Sequence, residues 1–203
     1  MKTLAKTLFA AALTAVVLTS SAVATFAAEP VKTETKTLDR AKFNRIWVSG
    51  NVKIVLTQGD TQKVEGASNY DASKTSVTTD GRTLFINSME TTQVTLNITV
   101  KDLERIEAYG QSVVVTKKNF DVKNLQLFLS QSATAKINTT AESLYTVVKE
   151  DAVLKLNGTA IQSTMIASNM KNVKLTDFTA IKGTSYTPEA ILAAEQNAMT
   201  LSK

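Results

Sequence analysis

LERIEAYGQSVVV (103–115), LQLFLSQSATAKI (125–137), LYTVVKEDAVLKL (144–156) and TMIASNMKNVKL (164–175) follow one another with a single grammar. Each row has a short alternating apolar run, a polar break and a second apolar run. The breaks fall at Gly110-Gln111, Ser130-Gln131, Glu150-Asp151 and Met170-Lys171, a spacing of about twenty residues. A fixed period of that size marks an array of stacked units. Strand-like content in every row predicts a β-solenoid. One such unit cannot bury its inward side chains alone, and stacking pairs its backbone with the units above and below. Inward positions alternate with outward ones. One inward column is then Val113, Val115, Ala133, Ala135, Ile137, Leu154, Leu156, Val173 and Leu175. A second is Leu125, Leu127, Leu129, Leu144, Thr146, Val148 and Ile166.

The same grammar extends toward the N-terminus. RIWVSGNVKIVL, from Arg45, can be laid on RIEAYGQSVVV, from Arg105, with Arg, Ile and Gly recurring at 45/105, 46/106 and 50/110. An offset of sixty reads as three units of about twenty. Val52, Ile54 and Leu56 alternate inward, and Gln58-Gly59-Asp60 turns the chain. Residues 61–100 are less regular, with a turn dipeptide at Asp80-Gly81. Leu84 and Ile86, then Val94, Leu96, Ile98 and Val100, alternate over polar partners as strands do.

The two ends differ from the rows. Residues 1–28 read as a signal peptide: Lys2 and Lys6, an apolar stretch from Leu8 to Leu18, then small residues with Ala22-Val23-Ala24, Ala27 or Ala28 at the cleavage edge. Thr19-Ser20-Ser21 interrupts the apolar stretch, so no stable membrane span is expected after cleavage. Residues 29–42 form an extended N-terminal segment, and 43–186 the solenoid domain. Thr187-Pro188-Glu189 opens a short amphipathic helix over 187–203, with Ile191, Leu192, Ala194, Ala198 and Met199 on one face. This helix would cover the open end of the stack.

Among 203 residues there is no cysteine and no histidine. Disulfides, thiolate nucleophiles, Cys/His metal sites and imidazole-dependent triads are therefore excluded. No metal or other cofactor is expected. Part of the formal charge of +5 belongs to Lys2 and Lys6. The remaining basic residues are scattered along the chain, unlike those of a nucleic-acid binder.

The stretch from Phe43 to about Phe178 resembles the family of the auto-transporter adhesin, head GIN domain, exported proteins of bacterial envelopes. The likeness is carried by Phe43-Asn44-Arg45-Ile46, by Val48-Ser49-Gly50-Asn51-Val52-Lys53-Ile54 and by Thr57-Gln58-Gly59-Asp60. Leu84-Phe85-Ile86 supplies the following strand, and Tyr109-Gly110-Gln111-Ser112 and Leu129-Ser130-Gln131-Ser132 the repeated turns. The resemblance implies a right-handed parallel β-helix of pectin-lyase-like shape and a role in adhesion, without a catalytic set. The later turns depart from the pattern, with Glu150-Asp151 and Met170-Lys171 in place of glycines and serines.

Three kinds of site follow. Trp47 lies between Ile46 and Val48, so it points outward if they point inward. Tyr109 falls near the same corner and Tyr145 lies between Leu144 and Thr146. A flat ring can cover a sugar face, which makes Trp47, Tyr109 and Tyr145 candidates for glycan or envelope-protein binding. The simpler reading is that these rings cover a lateral face of the fold or the N-terminal segment. Carboxylates are the second kind: Glu104 and Glu107 with Arg105, or Glu150 and Asp151 with Lys149, can act as acid and base. Solvated corners explain them as simply. Outward polar rows are the third kind: Lys53, Thr57, Lys136, Asn138, Lys155, Asn157 and Lys174 would keep sheets from stacking, or hydrogen-bond a repetitive polymer.

Together these readings predict a single-stranded right-handed parallel β-helix of about seven rungs, a rod of about 34 Å, with a short C-terminal helix. They point to an exported, non-catalytic adhesion or binding protein of the periplasm, outer surface or extracellular space. A carbohydrate-active enzyme using carboxylates and a self-associating structural envelope protein remain as alternatives, and oligomerisation stays open.

Overall fold

Alternating Val, Ile, Leu and Thr residues favour an extended, half-buried backbone. The computed structural model describes residues 36–38, 40–187 and 189, and these are mostly strand. In chain order the strands are β1 Lys36–Leu38, β2 Arg45–Gly50, β3 Val52–Gln58, β4 Lys63–Gly66, β5 Thr75–Asp80, β6 Thr83–Ser88 and β7 Val94–Val100. There follow β8 Arg105–Ala108, β9 Val113–Thr116, β10 Phe120–Leu129, β11 Thr134–Val148, β12 Val153–Ala167, β13 Val173–Lys174 and β14 Phe178–Tyr186. A single 3-10 turn, Met170–Asn172, precedes β13, and Asn169 caps it by accepting from the Lys171 N–H at 3.0 Å.

All fourteen strands join one sheet. Its main path runs β1-β4-β7-β3-β9-β11-β10-β8-β2-β6-β5, with β12 beside β11 and both β13 and β14 beside β12. The sheet curls into a half-barrel of mixed strands. In its second half the sequence period appears as parallel pairing: Phe120 lies opposite Thr139, Thr134 opposite Val153 and Gly158 opposite Phe178. The polar breaks at Gly110, Gln131, Glu150 and Met170 are turns.

The right-handed parallel β-helix of about seven rungs is not what forms. Arg45 and Arg105, with Ile46 and Ile106, are direct neighbours across β2 and β8, not members of rungs three apart. Between them the chain crosses to the other side of the β2–β3 row, where β6 pairs with β2 and β7 with β3. The pairing is also mixed. β4 runs antiparallel to both β1 and β7, and β5 antiparallel to β6 across the two-residue loop Gly81-Arg82. The physical reason is that a repeated apolar pattern makes two rows compatible in register without fixing the side on which the next row adds. A tight two-residue loop then reverses the strand direction. The expected signal peptide (1–28) lies outside the described residues. So does the expected helix (187–203), apart from Thr187 and Glu189.

One face of the sheet encloses the core. Ile46, Val48, Val52, Ile54, Leu56, Leu84, Ile86, Leu96, Ile98, Ile106, Leu127, Leu154 and Leu156 are all buried there. Two inward assignments shift by one residue. Val114 is buried while Val113 and Val115 are half-buried, because Val114 pairs with the inward Ala135. Met165 is buried while Ile166 is half-buried, because Met165 pairs with Thr146. A shift of one residue exchanges the two faces of a strand. Leu175, beyond the end of β13, is exposed.

The later turns dispense with glycine by bonding to one another. Gly110 has φ +67°, and the equivalent positions in the next two rows, Gln131 and Glu150, adopt φ +61° and +56°. The Gly110 N–H donates to Gln131 Oε1, and the Gln131 N–H donates to Glu150 Oε2, each at 2.6 Å. Those side-chain bonds offset the strain of a left-handed backbone at residues carrying a Cβ.

Candidate functional site

Strand register sets Phe85, Trp47, Phe128 and Tyr186 in one outward column. Because Ile46, Val48, Leu84, Ile86, Leu127 and Leu129 point inward, Trp47, Phe85 and Phe128 between them point outward. Phe85 pairs with Trp47, Trp47 with Glu107, Glu107 with Phe128, Phe128 with Val147, Val147 with Ile166 and Ile166 with Tyr186. Six interstrand steps make this column about 29 Å long. Val147 is only 7% exposed although both Thr146 and Val148 are also buried, and Phe128 and Ile166 flank it.

Of the three aromatic candidates, the structure brings two together. Trp47 stands 5.5 Å from Tyr109 and 6.0 Å from Phe85 between ring centroids, with tilts of 35° and 44°. Tyr145 belongs to a second pair, 5.9 Å from Phe128. Arg105 links the two groups. Its guanidinium carbon lies 5.1 Å above the Phe128 ring, its Nε donates to Gln126 Oε1 at 2.7 Å, and one terminal nitrogen lies 3.4 Å from Glu107 Oε1. The Tyr109 hydroxyl donates to Glu107 Oε2 at 3.1 Å. Burial pushes the Tyr109 phenol above its ordinary pKa, and the Glu107 carboxylate raises it further by charge and hydrogen bond. The result is two groups of rings, Phe85–Trp47–Tyr109 and Phe128–Tyr145, with Glu107 between them in the column and Arg105 and Gln126 alongside, so stacking surfaces and hydrogen-bonding groups stand together.

Phe85 and Phe128 were missed as candidates, although the signal was available. Each sits between two inward apolar residues, as Trp47 does. Three of the four candidate carboxylates are occupied by structural partners, and Asp151 is exposed at the turn. Glu104 meets Arg82 at 2.8 Å and Arg45 at 3.7 Å, Glu107 holds Arg105 and Tyr109, and Glu150 caps the Gln131 turn. Among the described residues, no group of three or more acids could hold a metal ion, and no helix is long and apolar enough to cross a membrane.

A second concavity lies where the sheet bends. The ladder skips Lys123, Glu142, Ile161 and Ile181 between their paired neighbours. Beside that bend runs an open groove of about 730 Å³, lined by Val122, Ala141, Ala160, Ile161 and Ile181 with Thr140, Thr159 and Thr179. Lys101, Asp102, Asp121, Lys123 and Glu142 supply its charged groups.

Several solved structures share the fold. A putative adhesin from Bacteroides fragilis superposes with a TM-score of 0.61 at 17% identity, covering 77% of this chain and 78% of that one. A putative lipid binding protein from Parabacteroides distasonis gives 0.60 at 12% identity, covering 78% and 79%. A putative adhesin from the same species gives 0.55 at 15% identity, covering 77% and 78%. At these identities the likeness is one of fold. No curated protein matches the chain in sequence. The family model described as "Putative auto-transporter adhesin, head GIN domain" matches residues 42–184, and the chain belongs to that family.

Proposed function

We propose that this is an exported, adhesin-like protein that binds glycan on the outer surface through the Trp47 column. Family membership supports an exported or surface protein with an adhesin-like role. The observation that carries the glycan reading is the contact of Trp47 with both Phe85 and Tyr109 on the outward side of adjacent strands. Three rings in a row offer a platform for the apolar faces of successive sugars, and Arg105, Glu107 and Gln126 stand beside it for their hydroxyls. The involvement of Glu104, Glu107 and Glu150 in structural contacts favours binding over carboxylate catalysis.

Trp47 is the sole tryptophan, so its fluorescence reports on this face directly. Titration with a panel of neutral oligosaccharides should shift that emission saturably for at least one member. Trp47→Ala and Phe85→Ala should abolish binding measured by calorimetry. If no oligosaccharide perturbs Trp47, or if binding survives both substitutions, the reading fails.

The groove at the bend supports a second reading, an apolar ligand such as an acyl chain, and one neighbour of the same fold is described as a putative lipid binding protein. Displacement of a fluorescent fatty acid, lost in Ile161→Asp, would support it. Equal affinity in the variant would refute it.

A further inference from the structure

We propose that the opposite flank of the sheet, formed by β7, β3, β9, the first parts of β11 and β12, and β13, binds an extended acidic polysaccharide. Lys136 pairs with Lys155, and Lys155 with Lys174, on three adjacent parallel strands. Three ammonium groups therefore rise from neighbouring positions of one column, about 4.8 Å apart at the backbone. All three residues are exposed. None forms an ion pair among the described residues.

The strand segments that carry the row hold no carboxylate; Glu65 on the bordering β4 is already paired with Lys63 at 2.6 Å, and Asp177 lies in the turn beyond β13. The strand segments VTLNITV (94–100), VKIVLTQ (52–58), VVVT (113–116), TAKIN (134–138), VLKLN (153–157) and VK (173–174) contain four lysines and no carboxylate. Lys53 is the fourth of these lysines, and Lys117 and Lys118 follow β9. Like charges placed directly opposite each other destabilise a sheet. A surface needing only solubility would intersperse both signs, as the Arg82–Glu104 and Arg105–Glu107 pairs do elsewhere on the sheet. An unbroken row of cations is the complement of a chain with regularly spaced anions.

The chemistry beside the row narrows the partner. Asn138 and Asn157 pair in register two residues beyond Lys136 and Lys155, so the Asn138 amide stands next to the ammonium groups where sugar hydroxyls would lie, while the Asn157 amide donates to the Thr176 carbonyl. No aromatic residue occurs in these segments, so nothing there can stack on a base or enter a bilayer as an aromatic anchor. A linear polymer bearing carboxylates on successive sugars fits a narrow, straight, cationic strip with an amide neighbour. This face is separate from the Trp47 column and does not depend on it.

Polygalacturonate is the probe. The purified exported chain should bind it at low salt and be released as salt rises. Replacing the row in K136Q/K155Q/K174Q should weaken binding by about tenfold or more, with the thermal melt unchanged or raised, because the like-charge repulsion is removed. The matching triple Lys→Arg variant should retain binding, and so should Trp47→Ala, which separates this face from the aromatic one. Absence of binding to polygalacturonate, or equal binding by the glutamine variant, overturns the proposal. Tighter binding to phosphatidylglycerol vesicles or duplex DNA than to polygalacturonate overturns the polysaccharide assignment.

Discussion

Trp47 and Tyr109 meet across β2 and β8 with ring centroids 5.5 Å apart. Trp47 pairs with Glu107, and Tyr109, two residues further on the same face and just past β8, lies diagonally across from Trp47. With Phe85, Trp47 forms two ring contacts, worth about 0.5–1.5 kcal/mol each beyond their area. Trp47→Ala should therefore cost about 1–3 kcal/mol in urea unfolding while the β-sheet circular dichroism persists. A larger loss, with collapse of the dichroism, would make the ring part of the fold and not a surface platform.

Glu150 accepts from the Gln131 N–H at 2.6 Å across two stacked turns. Its role here is to satisfy a backbone donor beside a left-handed residue. Glu150→Ala should destabilise the protein by about 1 kcal/mol, whereas Glu150→Gln, which keeps an acceptor oxygen, should stay near the parent. Chemical denaturation of the pair decides it. Equal stability in all three proteins would free Glu150 for another role.

Gly158 has φ +108°, and a β-carbon there would run into the carbonyl oxygen of Thr139 on the adjacent strand. Gly158→Ala must shift the β11–β12 pairing as well as adopt a strained backbone, and should cost about 1–3 kcal/mol from strain alone. Gly183→Ala is the control, since the nearest atom to its β-carbon would be Ala180 Cβ at an ordinary 3.6 Å. The midpoint of thermal unfolding should fall for the first and barely move for the second.

Burial, assisted by Glu107, raises the Tyr109 phenol above its ordinary value of 10.0, and burial does the same for Tyr70. A phenol with a higher pKa in the folded state holds its proton more tightly there than in the unfolded chain. Its stabilising contribution is complete below about pH 10 and is lost as pH climbs through the raised folded value. Stability should decline on the alkaline side, and Tyr109→Phe should make that decline shallower. Superimposable alkaline profiles for the two proteins would contradict the assignment.

Legibility in the sequence differed from one feature to the next. Turns at Gly110, Gln131, Glu150 and Met170 and inward Leu127, Leu154 and Leu156 could be read from alternation and period. Trp47 could be placed outward from its two neighbours, and the same rule applied to Leu84-Phe85-Ile86 and Leu127-Phe128-Leu129 would have found the other rings. The bend at Lys123, Glu142, Ile161 and Ile181 left no comparable mark, and beyond it on β12 the inward position is Met165 and not Ile166. Lys136, Lys155 and Lys174 could be read from the period as members of an outward polar row, and the pairing of β11, β12 and β13 sets them directly opposite one another.

By itself the sequence determined that this chain makes strands, that its rows of about twenty residues match in register, and which side of most strands is apolar. Those properties are local, set by the two-residue alternation of side chains and by turn residues. Only the tertiary structure decided that Arg45 lies beside Arg105 and that β6 and β7 cross to the far side of the β2–β3 row. It also decided that antiparallel strands border both ends of the main path, making a curled mixed sheet and not a sequential coil. Several rows carry the same apolar code and can pair with any of the others. The choice among them is made by burial and backbone pairing over the whole sheet.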